Sequence, residues 1–315
     1  MLLRVKDKAI LHFLNENARM PDAVIAKKLQ MSKQAVGYNI RKLEKQKLIK
    51  GFYTEYNISK LGYNSFYIFL HLVNITNIDE QQLLKRIISE ENVGWVVSGI
   101  GQPNLILLTY AKTLHEFGIL LCRIKQHCSS HLSAVNFAIL TESQKFSYRF
   151  LQPSSSSVQR EKIQPILLDD LDKKLLITLA NTPRERIVNL ALKIHQSTSI
   201  VKYRLRKLER TVIQGFRLKL DIAKLGLQWY LLLITLESCN EEKVKKLIAY
   251  LTEREQTYYV TSIVGSYDLM ADVHVRTTEE MHVFISSLRE ICSINHFDLF
   301  LISKEHKYSY LPKLI

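Results

Sequence analysis

The sequence is poor in the short motifs that usually announce an enzyme. It has no Gly-rich phosphate loop, no Gly-x-Ser-x-Gly nucleophile elbow and no cysteine or histidine pair at zinc spacing. Nucleotide-dependent, esterase-like and zinc-dependent chemistries are therefore disfavoured. Cysteine is scarce too: Cys122, Cys128, Cys239 and Cys292 form no Cys-x-x-Cys pair, as expected of buried thiols in a reducing compartment. No metal and no cofactor is expected. Long apolar runs are also missing. The strongest, Phe66–Val73 and Trp229–Leu236, are 8 residues each. A membrane helix needs about 20 residues, so these runs suit buried strands. The N-terminus enters a charged amphipathic pattern at once, without a signal peptide. The expectation is a cytoplasmic protein with no membrane partner and no enzymatic activity.

Acidic residues are the other shortage. Lys and Arg number 44 against 30 Asp and Glu, a net charge of +14. The excess is not spread evenly. Residues 1–56 hold 12 basic and 5 acidic residues, and so do residues 165–220. Residues 57–164 carry only +3, and residues 221–315 carry −3. Evenly solvated charge would not partition in this way, whereas contact with a phosphate backbone would produce it.

The two basic segments are copies of each other. Ser32-Lys-Gln-Ala-Val-Gly-Tyr-Asn-Ile-Arg-Lys-Leu-Glu44 returns as Ser197-Thr-Ser-Ile-Val-Lys-Tyr-Arg-Leu-Arg-Lys-Leu-Glu209, with seven of thirteen positions identical. Asp7–Leu11 answers to Asp172–Leu176, Ile49–Phe52 to Ile213–Phe216, Asn57–Gly62 to Asp221–Gly226, and Val96–Leu105 to Val260–Leu269. The repeat covers nearly the whole chain and is a duplicated multi-element unit. Between the copies, Gln152-Pro-Ser-Ser-Ser-Ser-Val158 reads as a solvated linker.

Within each basic segment the apolar spacing predicts three helices and an extended wing. Ile10, Leu11, Phe13 and Leu14 give the first helix an inward face. Asp22 reads as the N-cap of the second, and Ser32 as the cap of the third. Val36, Ile40 and Leu43 face inward on the third helix, and Val201, Leu205 and Leu208 do so in the second copy. This is the helix-turn-helix plan, with a polar second helix available to the major groove. The expected DNA-contacting residues are Ser32, Lys33, Gln34, Gly37, Tyr38, Arg41 and Lys45 in the first head. In the second they are Thr198, Ser199, Lys202, Tyr203, Arg206 and Arg210. Double-stranded DNA is the expected partner. Because Gly37 answers to Lys202 and Asn39 to Arg204, the heads should prefer different half-sites.

Residues 63–150 and 227–305 each read as strand-helix-strand-strand-helix-strand. This βαββαβ order is the ferredoxin-like plan, an antiparallel sheet with helices on one face. The open faces predict self-association of two such domains, within a chain or between chains. The expected fold is therefore α+β, two winged helix-turn-helix domains (1–56 and 165–220) alternating with two ferredoxin-like domains (57–150 and 221–315), joined by a linker over 151–164.

Taken together, Asp7, Gly51-Phe52 and Lys60-Leu-Gly62, with Asp172, Gly215-Phe216 and Lys224-Leu-Gly226, make the chain resemble the Lrp/AsnC family of transcription regulators, as a tandem fusion of two units. The resemblance implies sequence-specific DNA binding. It also implies an amino-acid effector near a Gly-x-Tyr/Phe-Asp turn, which Gly265, Ser266, Tyr267 and Asp268 match. Backbone N–H groups would bind the carboxylate there and Asp268 the ammonium. Gly101-Gln-Pro-Asn104 departs from the pattern, so the resemblance places the effector in the second copy alone.

Sirohaem decarboxylases resemble the same architecture and supply the alternative, a tetrapyrrole enzyme. Its basic residues would hold carboxylates, with a histidine or tyrosine near the ring. The candidate histidines, His71, His127, His131, His274 and His296, are not duplicated at the repeat offset. Degenerate heads used only for assembly are a third reading, against which the basic surface of both heads counts.

Overall fold

A computed structural model describes residues 3–146, 148–151, 164–237 and 241–313. The expected linker segment Gln152–Val158 and Cys239 lie outside the described residues.

Each half contains the elements the spacing predicts. The first runs α1 (Val5–Glu16), α2 (Asp22–Leu29), α3 (Lys33–Lys45), β1 (Ile49–Tyr56), β2 (Asn64–Leu72), α4 (Asn77–Ser89), β3 (Val93–Ile100), β4 (Leu105–Ala111), α5 (Leu114–Cys128) and β5 (Leu132–Lys145). The second runs α6 (Asp170–Asn181), α7 (Ile187–Lys193), α8 (Thr198–Glu209), β6 (Ile213–Leu220), β7 (Gln228–Leu236), α9 (Glu241–Glu253), β8 (Thr257–Gly265), β9 (Leu269–Val275), α10 (Thr278–Ile291) and β10 (Ile294–Tyr308).

Capping explains where the recognition helices start. Ser32 Oγ accepts the Ala35 N–H at 3.1 Å, and Ser197 Oγ accepts the Ile200 N–H at 3.3 Å. Each satisfies one of the free donors of a helix N-terminus. Asp22 differs from expectation. Pro21 occupies the cap position, and Asp22 sits in the first turn, where a carboxylate suits the helix dipole. Its carboxylate pairs with Arg184 of the other head at 3.2 Å.

The inner faces of the two ferredoxin-like sheets share one core, and the sheets are also joined at their edges. They merge edge to edge into one closed barrel, in the order β10-β3-β4-β2-β5-β8-β9-β7. The long strands β5 and β10 make this possible. The first part of β5 pairs with β2, and its continuation crosses to β8, from Ala138↔Gly265 to Lys145↔Tyr259. Likewise β10 begins on β7 and ends on β3, reaching Tyr308↔Trp95. Closure removes the exposed sheet edges that would otherwise seek a partner. Side chains alternate across the barrel wall. Phe66, Ile68, Leu105 and Leu107 bury against helices α4 and α5, and Leu232, Ile234, Leu269 and Ala271 against α9 and α10. Tyr67, Phe69, Ile106, Leu231, Leu233 and Phe300 fill the interior.

The heads are interlocked. β1 and β6 form an antiparallel two-stranded ribbon with Tyr53 opposite Arg217 and Thr54 opposite Phe216. Thr54 Oγ1 donates to Leu179 O at 2.7 Å and Tyr56 Oη to Leu176 O at 2.9 Å, both across to α6. Ala18 N–H donates back to Phe216 O at 2.8 Å. The spacing of the heads is thus set by their own shared ribbon as well as by the barrel.

Candidate nucleic-acid surface and central cavity

Ser32, Lys33, Gln34, Tyr38, Arg41 and Lys45 are exposed on α3 and its cap, and Thr198, Ser199, Lys202, Tyr203, Arg206 and Arg210 on and beside α8. Tyr38 and Tyr203 are 63% and 69% exposed, at the same place in the two copies. Gly37 is the exception. It is buried, and a Cβ there would lie 3.3 Å from Asp22 Oδ2. Its lack of a side chain lets α3 approach α2 closely, so it offers DNA no contact surface. In the second head, Arg204 is tied to Asp169 and, at 3.2 Å, to Asp172, while Lys207 reaches Asp172 at 3.0 Å. These cations brace α8 against α6.

The expected effector turn is occupied by internal work. Asp268 Oδ2 accepts the Leu236 N–H at 2.8 Å, and Tyr267 Oη donates to Asp298 at 2.7 Å. Ser266 Oγ donates to Phe137 O at 3.3 Å. Gly265 has φ +148°, and a Cβ there would come within 2.5 Å of Phe137 O. Glycine is needed where β8 crosses β5. Asn104, which lacks the charge, does the same job as Asp268: its Oδ1 accepts Leu72 N–H at 2.8 Å and its Nδ2 donates to Leu72 O at 2.7 Å.

An interior cavity lies elsewhere, where the β1–β6 ribbon roofs the barrel mouth. This cavity of about 470 Å³ is lined by residues of both halves. Its walls are aromatic, and they include both tryptophans of the chain, Trp95 and Trp229, with ring centroids 6.2 Å apart.

Two groups of ion pairs fasten the ribbon to the barrel. On one side Glu55 of β1 accepts from Arg217 Nε at 2.8 Å and Tyr259 Oη at 3.1 Å, with Lys145 Nζ at 3.5 Å. Lys145 also donates to Tyr53 Oη and sits among the rings of Tyr53, Tyr258 and Tyr259. On the other side Lys219 of β6 meets Glu305 at 2.5 Å, and Trp95 Nε1 donates to the same carboxylate at 2.7 Å. Glu55 and Lys219 occupy equivalent places in the repeat, so the charge on the ribbon is reversed between halves. Burial opposes the charge on Glu55, but Lys145 and Arg217 more than compensate and hold its pKa down at about 2. Burial lowers Lys145 and Lys219 to about 8, against the pull of Glu55 and Glu305 respectively.

Deeper in, Asp272 is pushed well above the carboxylate range, chiefly by burial. Its Oδ1 lies 3.5 Å from His274 Nε2 and forms no hydrogen bond, and the Trp229 indole faces it without one of normal geometry. Tyr110 Oη is likewise buried and unpartnered. None of the five candidate histidines lines the cavity. His274 packs against Tyr148, Tyr258 and Trp229, which do, and burial lowers it to about 3. Among the described residues no cluster of His, Cys, Asp and Glu fits a metal ion.

A duplicated helix-turn-helix surface above paired ferredoxin-like domains is the architecture of two fused regulator-like units. The AsnC-type helix-turn-helix domain matches residues 5–44, and the Lrp/AsnC ligand binding domain matches residues 230–312. The chain belongs to the Lrp/AsnC family. It is 30% identical over 130 residues to an uncharacterised HTH-type transcriptional regulator of Pyrococcus horikoshii, spanning 40% of this chain and 87% of the relative. It is 30% identical over 120 residues to the HTH-type transcriptional regulator AldR of Mycolicibacterium smegmatis, 38% of this chain and 70% of that one. Each relative thus corresponds to less than half of the duplicated chain. Over its full length the fold is similar to that of the siroheme decarboxylase NirDL, with a TM-score of 0.65 at 14% identity over 99% of this chain and 96% of that one.

Proposed function

We propose that the chain is a sequence-specific DNA-binding transcription regulator that reads an asymmetric site through α3 and α8. The observation that carries this reading is the exposure, in both halves, of the same basic face, with Arg41 and Tyr38 on one head and Arg206 and Tyr203 on the other. N-terminal residues of a recognition helix address base edges, and the arginines further along hold phosphates. Pro183 O accepts from Arg19 at 2.6 Å and Asp22 pairs with Arg184, contacts that tie the heads to each other and favour a single half-site spacing. The test is binding to random-sequence duplex across a salt series, followed by site selection. Micromolar affinity with a steep negative log–log slope is expected, and flat, negligible binding would remove the reading. An amino-acid effector at Gly265–Asp268 belongs to the same proposal, and absence of heat with all twenty amino acids by calorimetry would dismiss it.

The fold likeness to a siroheme decarboxylase, together with a roomy aromatic cavity, favours a second reading, a tetrapyrrole enzyme. Lys145, Arg217 and Lys219 would then address ring carboxylates, and tyrosines rather than a histidine would stand near the macrocycle. A spectral titration with sirohaem, with product analysis, tests it.

A further inference from the structure

We propose that the central cavity is a binding site for a planar aromatic molecule that presents hydrogen-bond acceptors, an aromatic acid being the simplest case. This inference does not rest on the DNA-binding reading. It comes from what the cavity wall leaves unmatched. Four buried polar atoms of the lining have no hydrogen-bond partner: Asn15 Oδ1, Tyr110 Oη, Trp229 Nε1 and Asp272 Oδ1. Buried polar groups are ordinarily paired, and an unpaired one costs stability. All of them line the one cavity, with Tyr110 on β4 across the barrel from Asp272 on β9 and Trp229 on β7, so one ligand held between the two sides can meet them together. The indole of Trp229 faces Asp272, and Tyr67 lies within electrostatic reach of both Asp272 and Tyr110.

Donors prevail among these groups. A phenol O–H and an indole N–H donate, and burial raises the pKa of the Asp272 carboxyl, which favours its protonated, donating form, whereas Asn15 Oδ1 accepts. Such a lining favours a ligand rich in acceptors. The charged groups of the lining balance: Lys145, Arg217 and Lys219 face Glu55, Glu305 and Glu142. Selection therefore comes from hydrogen bonding and ring stacking, with Lys145 close enough to Asp272 to favour an acceptor that carries negative charge. Trp95, Trp229, Tyr67 and Tyr258 supply flat apolar surface for a ring system. A cavity of about 470 Å³ falls within the range of small-molecule sites.

The wall is also asymmetric where the fold is not. At the repeat offset, Asp272 stands where the first half has Leu108, His274 where it has Tyr110, and Trp229 where it has Ser65. A cavity kept only to fill space would have no use for a carboxyl in place of leucine on one side. Asp272→Leu copies the apolar solution already present in the other half.

The experiment uses the full-length chain without DNA, so its failure and a failure of DNA binding would be seen separately. Both tryptophans line the cavity, which makes intrinsic fluorescence a direct reporter. Indole-3-acetate and coproporphyrin III are titrated separately, with calorimetry as the second readout. Saturable quenching by at least one is expected, with indole, the same ring without acceptors, at least about tenfold weaker than indole-3-acetate where the latter binds. Tyr110→Phe should weaken the bound probe about tenfold while leaving the melting temperature unchanged or raised. A merely structural hydroxyl would show the reverse. Binding of the small acid alone assigns the site a ring ligand of that size, and binding of the porphyrin alone assigns it a macrocycle. Saturable binding of neither probe at millimolar concentration overturns the proposal. So does a bound probe whose affinity is the same in Tyr110→Phe and Asp272→Leu as in the natural chain, or indole binding as tightly as the acid.

Discussion

Glu55 is the place where the clamp between ribbon and barrel can be weighed. Its carboxylate is 16% exposed and serves Arg217, Tyr259 and Lys145 together. Glu55→Gln keeps the volume and one acceptor but leaves two buried cations without their counter-charge. Two estimates of the cost agree. Holding a carboxyl at about 2 instead of 4.5 corresponds to about 3 kcal/mol at neutral pH, and breaking a buried ion pair from one side costs about 3–5 kcal/mol. A loss of about 3 kcal/mol is a large part of a typical total stability. The pH dependence has a defined sign. The folded pKa lies below the unfolded one, so Glu55 stabilises the fold above about pH 4.5, and its contribution fades as the pH falls through about 2. Denaturant melts of the natural and variant chains between pH 7 and pH 2.5 should therefore start well apart and converge on acidification. A gap below about 1 kcal/mol at pH 7, the size of an exposed pair, or a gap that stays constant in acid, would refute the clamp.

Other substitutions separate structural from functional roles. Arg41→Ala and Arg206→Ala should each weaken binding to all duplexes and reduce the salt slope by about 1 per lost phosphate contact, and unchanged affinity in both would clear these arginines of the role. Asp268→Asn should cost under about 1 kcal/mol because Asn104 already does the same job, whereas Asp268→Ala strands the Leu236 N–H and should cost about 1–3 kcal/mol. Thermal melts decide, and equal losses would contradict the strand-closing role. Gly265→Ala should loosen the β5–β8 seam, since its Cβ would meet Phe137 O at 2.5 Å, and hydrogen exchange at Ala138 and Ile139 should rise. Asp272→Leu should raise stability by about 1–3 kcal/mol at pH 7, as checked by denaturant melts. The natural chain alone should lose stability as the pH climbs above the ordinary carboxylate range, because its buried carboxyl resists ionising.

The repeat made the two-unit plan legible, since helical spacing around Val36, Ile40 and Leu43 and strand runs such as Phe66–Val73 set element types directly. What pattern could not reveal was where long strands change partners. Residues 132–145 read simply as a strand, yet after Ala138 β5 belongs to the other half's sheet, a choice made by tertiary geometry. Helical spacing alone does not show how close α2 comes to Gly37, which is buried against it. The cavity is not legible in the sequence because its residues are scattered over both halves. One signal was present: Asp272 interrupts the apolar run of a buried strand where its counterpart is Leu108. A charged residue at an inward position has to be provided for, and the mismatch between the two copies at this position marks it. The wing carried a second signal, since Glu55 and Lys219 trade sign at the same place in the repeat.

The ribbon has a consequence for the history of the two halves. Each head is finished with a strand from the other copy, and Tyr53 faces Arg217 where two identical halves would set like against like. A free homodimer of the first half would lose the arginine that neutralises Glu55, and one of the second half would bring two such arginines together. The copies have become complementary and are no longer interchangeable. Covalent fusion keeps that inequality at one-to-one stoichiometry in every molecule, so the two sides of the cavity are free to drift apart in sequence. Cleaving the chain between residues 151 and 164 should accordingly give two fragments that remain bound to each other in preference to their own kind.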